Sequence, residues 1–467
     1  MIKIHGSEPL SQVSEAFKTK VNQSSREFLA LIDVYFDGEL NPPTTFQSDD
    51  IVMFTLLEEF CSNERDFLGT VSANEFDLIL KNSNRELSPT NVESPYYGKL
   101  LPKVKVVPYI GLHNGVEEEY ICLGKFWSGD WISPSHTLET LVPCYDLMYF
   151  IGQVYIPGIE AVPGVTLRAL LSKAFIAAGL AKEDFVIESL NFPIDVGWVP
   201  EGKLKQVVQT LIRGIAYLDT TRDGKIRIRP ISLLQQATPV ESMDEFNQIV
   251  HLEIPTKFLE LHSKVTVRQY RARIEQDTVL LRIEEKISAN SSEEFVNVRF
   301  STVPMGMITH IELIDSQGTC SLINKQYTSW NVSFDLVNSG GLAADVEIIV
   351  HGKPIDLVPQ DRSAVKQEVW DIVGEKELVV DNELIQTKLF AEFIRDQLFI
   401  LTSRPIRSAI ALVTGNPLLT VGSCIEVHNT TDKYQPFIGT IVKRTLTYQG
   451  AIEENYVLFK STGEEEL

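Results

Sequence analysis

Between residues 71 and 131 the chain turns back every few residues, and that rhythm restricts it to short strands joined by tight turns. Phe76, Leu78 and Leu80 alternate with Glu75, Asp77 and Ile79, the period of two expected of a strand with one buried face. The segment 82–89 is rich in Asn, Ser and Pro, residues that close turns through side-chain-to-backbone hydrogen bonds and a fixed φ. Val104 and Val106 resume the alternation. His113-Asn114-Gly115 then supplies a left-handed turn into a strand over 120–127.

At 467 residues the chain exceeds one ordinary domain and predicts three or four. Its pattern divides it into five parts. Residues 1–27 are polar and read as an arm or short helix outside the main cores. Residues 28–160 run as short strands, opening at 28–38 with a strand that enters an Asp37-Gly38 turn, and read as a barrel or sandwich. At 161–235 the period becomes helical. Leu167, Leu170, Leu171, Ala174, Phe175 and Ala178 share a face, with Thr166 placed to cap the start and Gly179 the end. Leu204, Val207, Val208, Leu211, Ile212 and Ile215 repeat the offsets, and a hairpin about Asp223-Gly224 follows. Residues 236–375 are strand-rich, with strands expected at 264–270, 279–283, 295–300, 308–314, 330–336 and 346–351. Residues 376–467 combine a helix near 382–400 with strands at 407–413, 421–427, 437–446 and 455–459. The acidic stretch 463–466 is expected to fray. The fold class is therefore mainly β with α+β elements.

Four pieces of the first block resemble the N-terminal part of phage tail hub and baseplate hub proteins, especially those of Gram-positive hosts and related contractile injection particles. They are Asn82 through Pro89, the Ser94-Pro95-Tyr96-Tyr97-Gly98-Lys99-Leu100 turn, the Lys103-Val104-Lys105-Val106 strand, and the Leu123-Gly124…Phe126…Asp130-Trp131 hairpin. The helix and hairpin at 203–230, and Asn416-Pro417-Leu418-Leu419 with Val421-Gly422-Ser423 and Ile425 after a helix, are similar to later parts of such hubs. The resemblance implies two tube-like, discontinuous β-barrel domains flanking a helix-plus-hairpin unit, and a homotrimer. Three such chains would meet the hexameric ring of a tail tube protein on one face, and a spike or tip protein and other baseplate proteins on others. DNA would pass through the channel without specific binding, in a virion tail assembled in the host cytoplasm. Two other readings compete: a carbohydrate- or receptor-binding β-sandwich protein at the tail tip, and a cell-wall hydrolase.

The charge fits the first of these. Lys and Arg number 42 against 63 Asp and Glu, a formal net charge of −21, whereas phosphate backbones and anionic lipid call for clustered cations. Under the hub resemblance the same charge makes a wall past which a polyanion slides. No apolar run approaches membrane-spanning length, and the N-terminus lacks the apolar core of a secretory signal, so any exit from the cell is expected by another route.

Chemistry is hard to find in the sequence. The five cysteines, Cys61, Cys122, Cys144, Cys320 and Cys424, have no metal-ligand spacing and are expected as reduced, mostly buried thiols. His5, His113, His136, His251, His262, His310, His351 and His428 are dispersed, and each is expected at the surface or a strand end. Neither a nucleophile elbow nor a phosphate-binding loop is present. Glu58-Glu59, Glu117-Glu118-Glu119, Glu284-Glu285 and Glu453-Glu454 are sequence neighbours, so on strands they face opposite ways and cannot flank one glycosidic bond. They are read as solvated faces. Tyr96, Tyr97, Phe126, Trp127 and Trp131 could stack on sugars but are expected in cores or subunit contacts. The sequence accordingly assigns no catalytic, cofactor-binding or metal-ligating residue, and no enzymatic activity.

Overall fold

The computed structural model describes residues 2–5, 13–23, 26–60, 69–234, 238–246, 248–300, 304–405, 408–428 and 436–460. Expectations placed on Cys61, Arg407 and 463–466 lie outside the described residues.

Alternation in the first block gives strands whose apolar faces meet in one core. Lys105–His113 pairs antiparallel with Phe28–Val34 on one side, and with Glu118–Cys122 and Phe126–Ser128 on the other. The ladder continues through Glu139–Tyr145 and Glu75–Lys81 to Ile51–Glu59. The sheet curls so that Ile32, Val106 and Ile110 face Phe54, Phe76 and Leu78. The Phe76 ring lies 5.3 Å from those of both Phe54 and Phe126, a spacing at which aromatic pairs attract. From the segment 1–27, expected as an arm or short helix outside the cores, residues 13–21 contribute to this core. Val13, Phe17 and Val21, four residues apart, are buried in it, and Ser14 caps the helix Glu15–Val21. Ile2–His5 adds a parallel strand beside Glu118–Cys122.

A second curled unit forms from the C-terminal strands. Phe437–Tyr448 pairs with Ile452–Lys460, which pairs with Ser408–Val413 and then Ile249–Glu253. On its other edge Phe437–Tyr448 meets Cys424–Val427, joined by Glu241–Met243. Strands within 241–253, read from sequence with the strand-rich region, thus pair with the C-terminal strands. Cys424–Val427 covers only part of that edge, and Ile51–Glu59 from the first unit takes the rest, from Lys443 opposite Glu59 to Tyr448 opposite Phe54. One 15-stranded sheet therefore runs through both units.

Helices pack behind this sheet. Thr166 caps Leu167–Ala177 through its side chain and Gly179 adopts φ +93°, both as expected. Leu204–Ile212 stops three residues short of Ile215, because Gly214 takes φ +73° and turns the chain into the strand Ala216–Thr220. The C-terminal helix Lys388–Thr402 joins the same core, with the Phe390 ring stacked 4.2 Å from that of Phe192. The buried Gln386 side chain accepts from the Val196 amide and donates to the Val196 carbonyl, at 2.9 and 2.7 Å.

The strand Ala344–Val365 serves two bodies. Its first half pairs with Thr278–Ile287 and Met305–Asp315. These face a sheet of Ser291–Arg299, Asn331–Asn338 and Cys320–Tyr327 across a separate core around Phe334. Its second half pairs with Lys264–Ile274, and that ribbon rests against the helix Lys388–Thr402.

Candidate functional site at the seam between the two curled sheets

The seam is held from inside by a buried ion cluster. Arg444, fully buried, lies directly opposite Glu58 on one neighbouring strand and Tyr456 on the other. Its guanidinium donates to Glu58 Oε2 at 2.6 Å and to Glu454 Oε1 at 2.7 Å, and the Tyr456 hydroxyl donates to Glu454. Burial alone would lower the Arg444 pKa, but Glu454 and Glu58 outweigh it and hold the group still further above its ordinary value. Burial pushes the Tyr456 hydroxyl well up. On the opposite face Lys443 Nζ lies 3.0 Å from Glu59 Oε2, so two successive residue pairs stitch the same junction from both sides.

The hairpin that follows Leu204–Ile212 plugs the back of the seam. Arg222, fully buried, donates to the carbonyls of Pro417 and Leu419 at 2.9 and 2.8 Å. Burial, with the nearby Arg444 charge, lowers its pKa to about 10, so it stays charged at neutral pH. Asp219 accepts from Arg229 at 2.8 Å and from Arg227. Thr220 donates at 2.7 Å to Asp146 Oδ2, which also accepts the Asn74 amide at 2.9 Å, while Asp146 Oδ1 caps the helix Leu147–Ile151 through the Tyr149 amide. Burial pushes the Asp146 carboxyl up to about 6 against the pull of these donors. Between the hairpin and the seam lies a cavity of about 260 Å³ lined by Glu58, Asn74, Asp219, Thr220, Arg222 and Arg227, polar enough for water.

The solvent face of the shared sheet is the other half of the site. One row reads Tyr145, Glu75, Leu57, Thr445, Asn455 and Leu412 across six strands from both units. The next reads Pro143, Asp77, Thr55, Thr447 and Glu453. Glu75, Asp77, Glu453 and Asn455 are exposed on it. Partial burial, with Asp77 and Glu59 nearby, raises the Glu75 pKa, and burial raises that of Asp77. The exposed carboxylates Glu75, Asp77 and Glu453 outnumber Lys443, which is paired with Glu59, on this face.

The carboxylate runs divide rather than forming solvated faces throughout. Glu454 is buried and Glu453 exposed, because adjacent strand residues point oppositely, whereas Glu58 and Glu59 are both buried, one against Arg444 and the other against Lys443 on the opposite face. Glu119 accepts both the amide and the hydroxyl of Ser14. The Arg444 cluster has no local sequence signal, because Arg444 and Glu58 lie 386 residues apart. Phe126 and Trp131 are buried and Tyr96 packs 4.9 Å from Phe36, so these aromatics build the core, while Tyr97 is exposed. Burial raises the Cys122 and Cys144 thiols, which keeps them protonated and poorly nucleophilic. Among the described residues no helix is long and apolar enough to cross a membrane. His310 and His351 do come together, stacked 4.2 Å apart, on strands 41 residues apart in sequence.

No family model matches the chain, and no curated protein does either. Solved structures do. The chain is similar to the tail protein from Neisseria meningitidis MC58, with TM-score 0.52 and 11% identity over 92% of this chain and 96% of that one. It is similar to the 43 kDa tail protein of prophage MuSo2 from Shewanella oneidensis, with TM-score 0.52 and 10% identity over 93% and 98%. At such identities the likeness is one of fold, and it extends over nearly the whole length of both chains. This chain, mainly β with two curled units on one sheet, shares its fold with these two tail proteins.

Proposed function

We propose that the protein is a structural hub of a phage-type tail: a homotrimeric adaptor between the tail tube and the spike or tip, lining the central channel. The observation that carries this reading is the shared sheet. Each chain holds two curled units rigidly side by side, so three chains in a ring present six similar units to a hexameric tube and a threefold face to a spike. The acidic outer face of that sheet, with Glu75, Asp77 and Glu453, would form the channel wall. A negatively charged wall repels the phosphate backbone and lets DNA pass without binding. The region 28–160 and the C-terminal strands would be the two tube-like domains, 161–235 the wedge behind them, and the sandwich within 236–375 the part that faces other baseplate proteins. The protein would act in the virion tail after assembly in the host cytoplasm. Its role is geometric, and no bond-making step is assigned to it.

Multi-angle light scattering of the purified chain, followed by electron microscopy of the chain mixed with its tube protein, tests this. The expected result is a trimer, alone or on the tube, with the Glu75 face inward. A strict monomer that fails to bind the tube overturns it.

A further inference from the structure

The sandwich carries a side-chain cluster that the hub reading does not use. His310 and His351 are register partners on the adjacent strands Met305–Asp315 and Ala344–Val365, and their rings stack with planes 9° apart. Asp277, in the turn before Thr278–Ile287, offers a carboxylate oxygen to the same point, and one ligand atom from each of the three lies within 4.8 Å of the others. The Thr309 hydroxyl donates to Asp277 Oδ1 at 2.7 Å and fixes that carboxylate. His351 Nε2 is enclosed and has no hydrogen-bond partner, although Glu312 Oε2 stands 3.7 Å away. An enclosed imidazole nitrogen without a partner is unusual in a folded protein and asks for a proton or a cation. Protonation of both stacked rings would set two like charges face to face.

The geometry points to a binding site for a divalent cation of the zinc class, with His310, His351 and Asp277 as ligands. Two imidazoles with a carboxylate suit Zn²⁺, Co²⁺ or Ni²⁺, whereas Ca²⁺ and Mg²⁺ prefer all-oxygen shells. Ligand bonds of about 2.1 Å in a tetrahedron place donors about 3.4 Å apart. Because stacked rings do not aim their nitrogens at one point, binding requires the exposed His310 ring to turn out of the stack while the donors close from within 4.8 Å to about 3.4 Å. The cation would pin the turn at Asp277 to two strands of the sandwich and so stiffen a small body whose own core is limited. This inference does not depend on the hub reading.

Calorimetric titration of the chelator-treated full-length chain with zinc chloride at neutral pH tests it, with the visible absorption of added Co²⁺ reporting the ligand set. Binding is expected to saturate at one cation per chain. The His310→Ala/His351→Ala variant should lose more than about 100-fold in affinity, since loss of outer-shell partners alone costs about 10–100-fold. His310 is exposed, so an unchanged circular dichroism spectrum will show that this variant folds. Absence of binding by the parent chain overturns the proposal, as does binding that survives the double substitution, which would mark an adventitious cation only.

Discussion

Asp146 illustrates how one residue can tie three segments together and set a pH dependence. Its carboxyl receives the Asn74 amide, the Thr220 hydroxyl and the Tyr149 amide, so the first curled unit, its exit helix and the hairpin converge on it. All three partners are neutral donors, which leaves desolvation as the larger influence and puts the folded carboxyl at about 6 against an ordinary 3.8. The sign follows from linkage. A folded group with a raised pKa takes its proton before the unfolded one does, so its contribution to stability is full below about 4 and is lost as the pH rises through about 6. Asp146→Asn cannot titrate. The parent chain should therefore gain on the order of 2 kcal/mol relative to this variant between neutral pH and about pH 4. Urea midpoints of both proteins at the two pH values will show it. Parallel curves would mean that Asp146 stays charged throughout.

Among elements, the decisive contact is between Ile51–Glu59 and Phe437–Tyr448, because it makes two curled units into one sheet. Ladder hydrogen bonds alone would leave the register free to slip, and a one-residue slip would reverse every side chain. The buried cluster prevents this, since Arg444 reaches both carboxylates only when it stands opposite Glu58 and Tyr456. Arg444→Met strands two buried carboxylates and should cost about 3–5 kcal/mol, whereas Arg444→Met combined with Glu58→Met and Glu454→Leu removes every charge and should recover most of that loss. Denaturant midpoints of the two variants distinguish the cases; a neutral single substitution would show that the cluster does not hold the seam. Strand periods and caps were legible: Phe76, Leu78 and Leu80 are buried, and Thr166 caps as read. The strand Cys320–Tyr327 was not, because it is largely exposed and interrupted by Asn324 at φ +52°, and so carries no apolar alternation. Nor was the Arg444 cluster, because pairing between distant strands leaves no mark on either one alone.

For the whole molecule, the sandwich stands apart as a body on a ribbon. Its core is separate, and the ribbon leaves the main body with Ile274 directly opposite Ile355. What joins the sandwich to the rest besides the ribbon is slight. Ser329 donates to the Ile159 carbonyl at 3.1 Å, Asn331 donates to Glu201 at 2.9 Å, and Arg299 pairs with Glu201. Beyond that ribbon end the main core takes one apolar contact, the partly buried Trp330. Two residues that face each other across an antiparallel pair can be closed by a two-residue turn such as Asn-Gly. Replacing 275–354 with that turn should therefore leave the two curled units folded, with the stability of the main body lowered by no more than about 3 kcal/mol for the lost surface hydrogen bonds and the Trp330 contact. The same deletion should leave the proposed trimer intact, because its ring contacts are proposed in the curled units, and should abolish the proposed zinc binding, because all the ligands are removed. Light scattering and calorimetry on the shortened chain measure both. If it becomes a monomer while still folded, the sandwich and not the double sheet holds the ring together, and the channel wall must be sought on its faces.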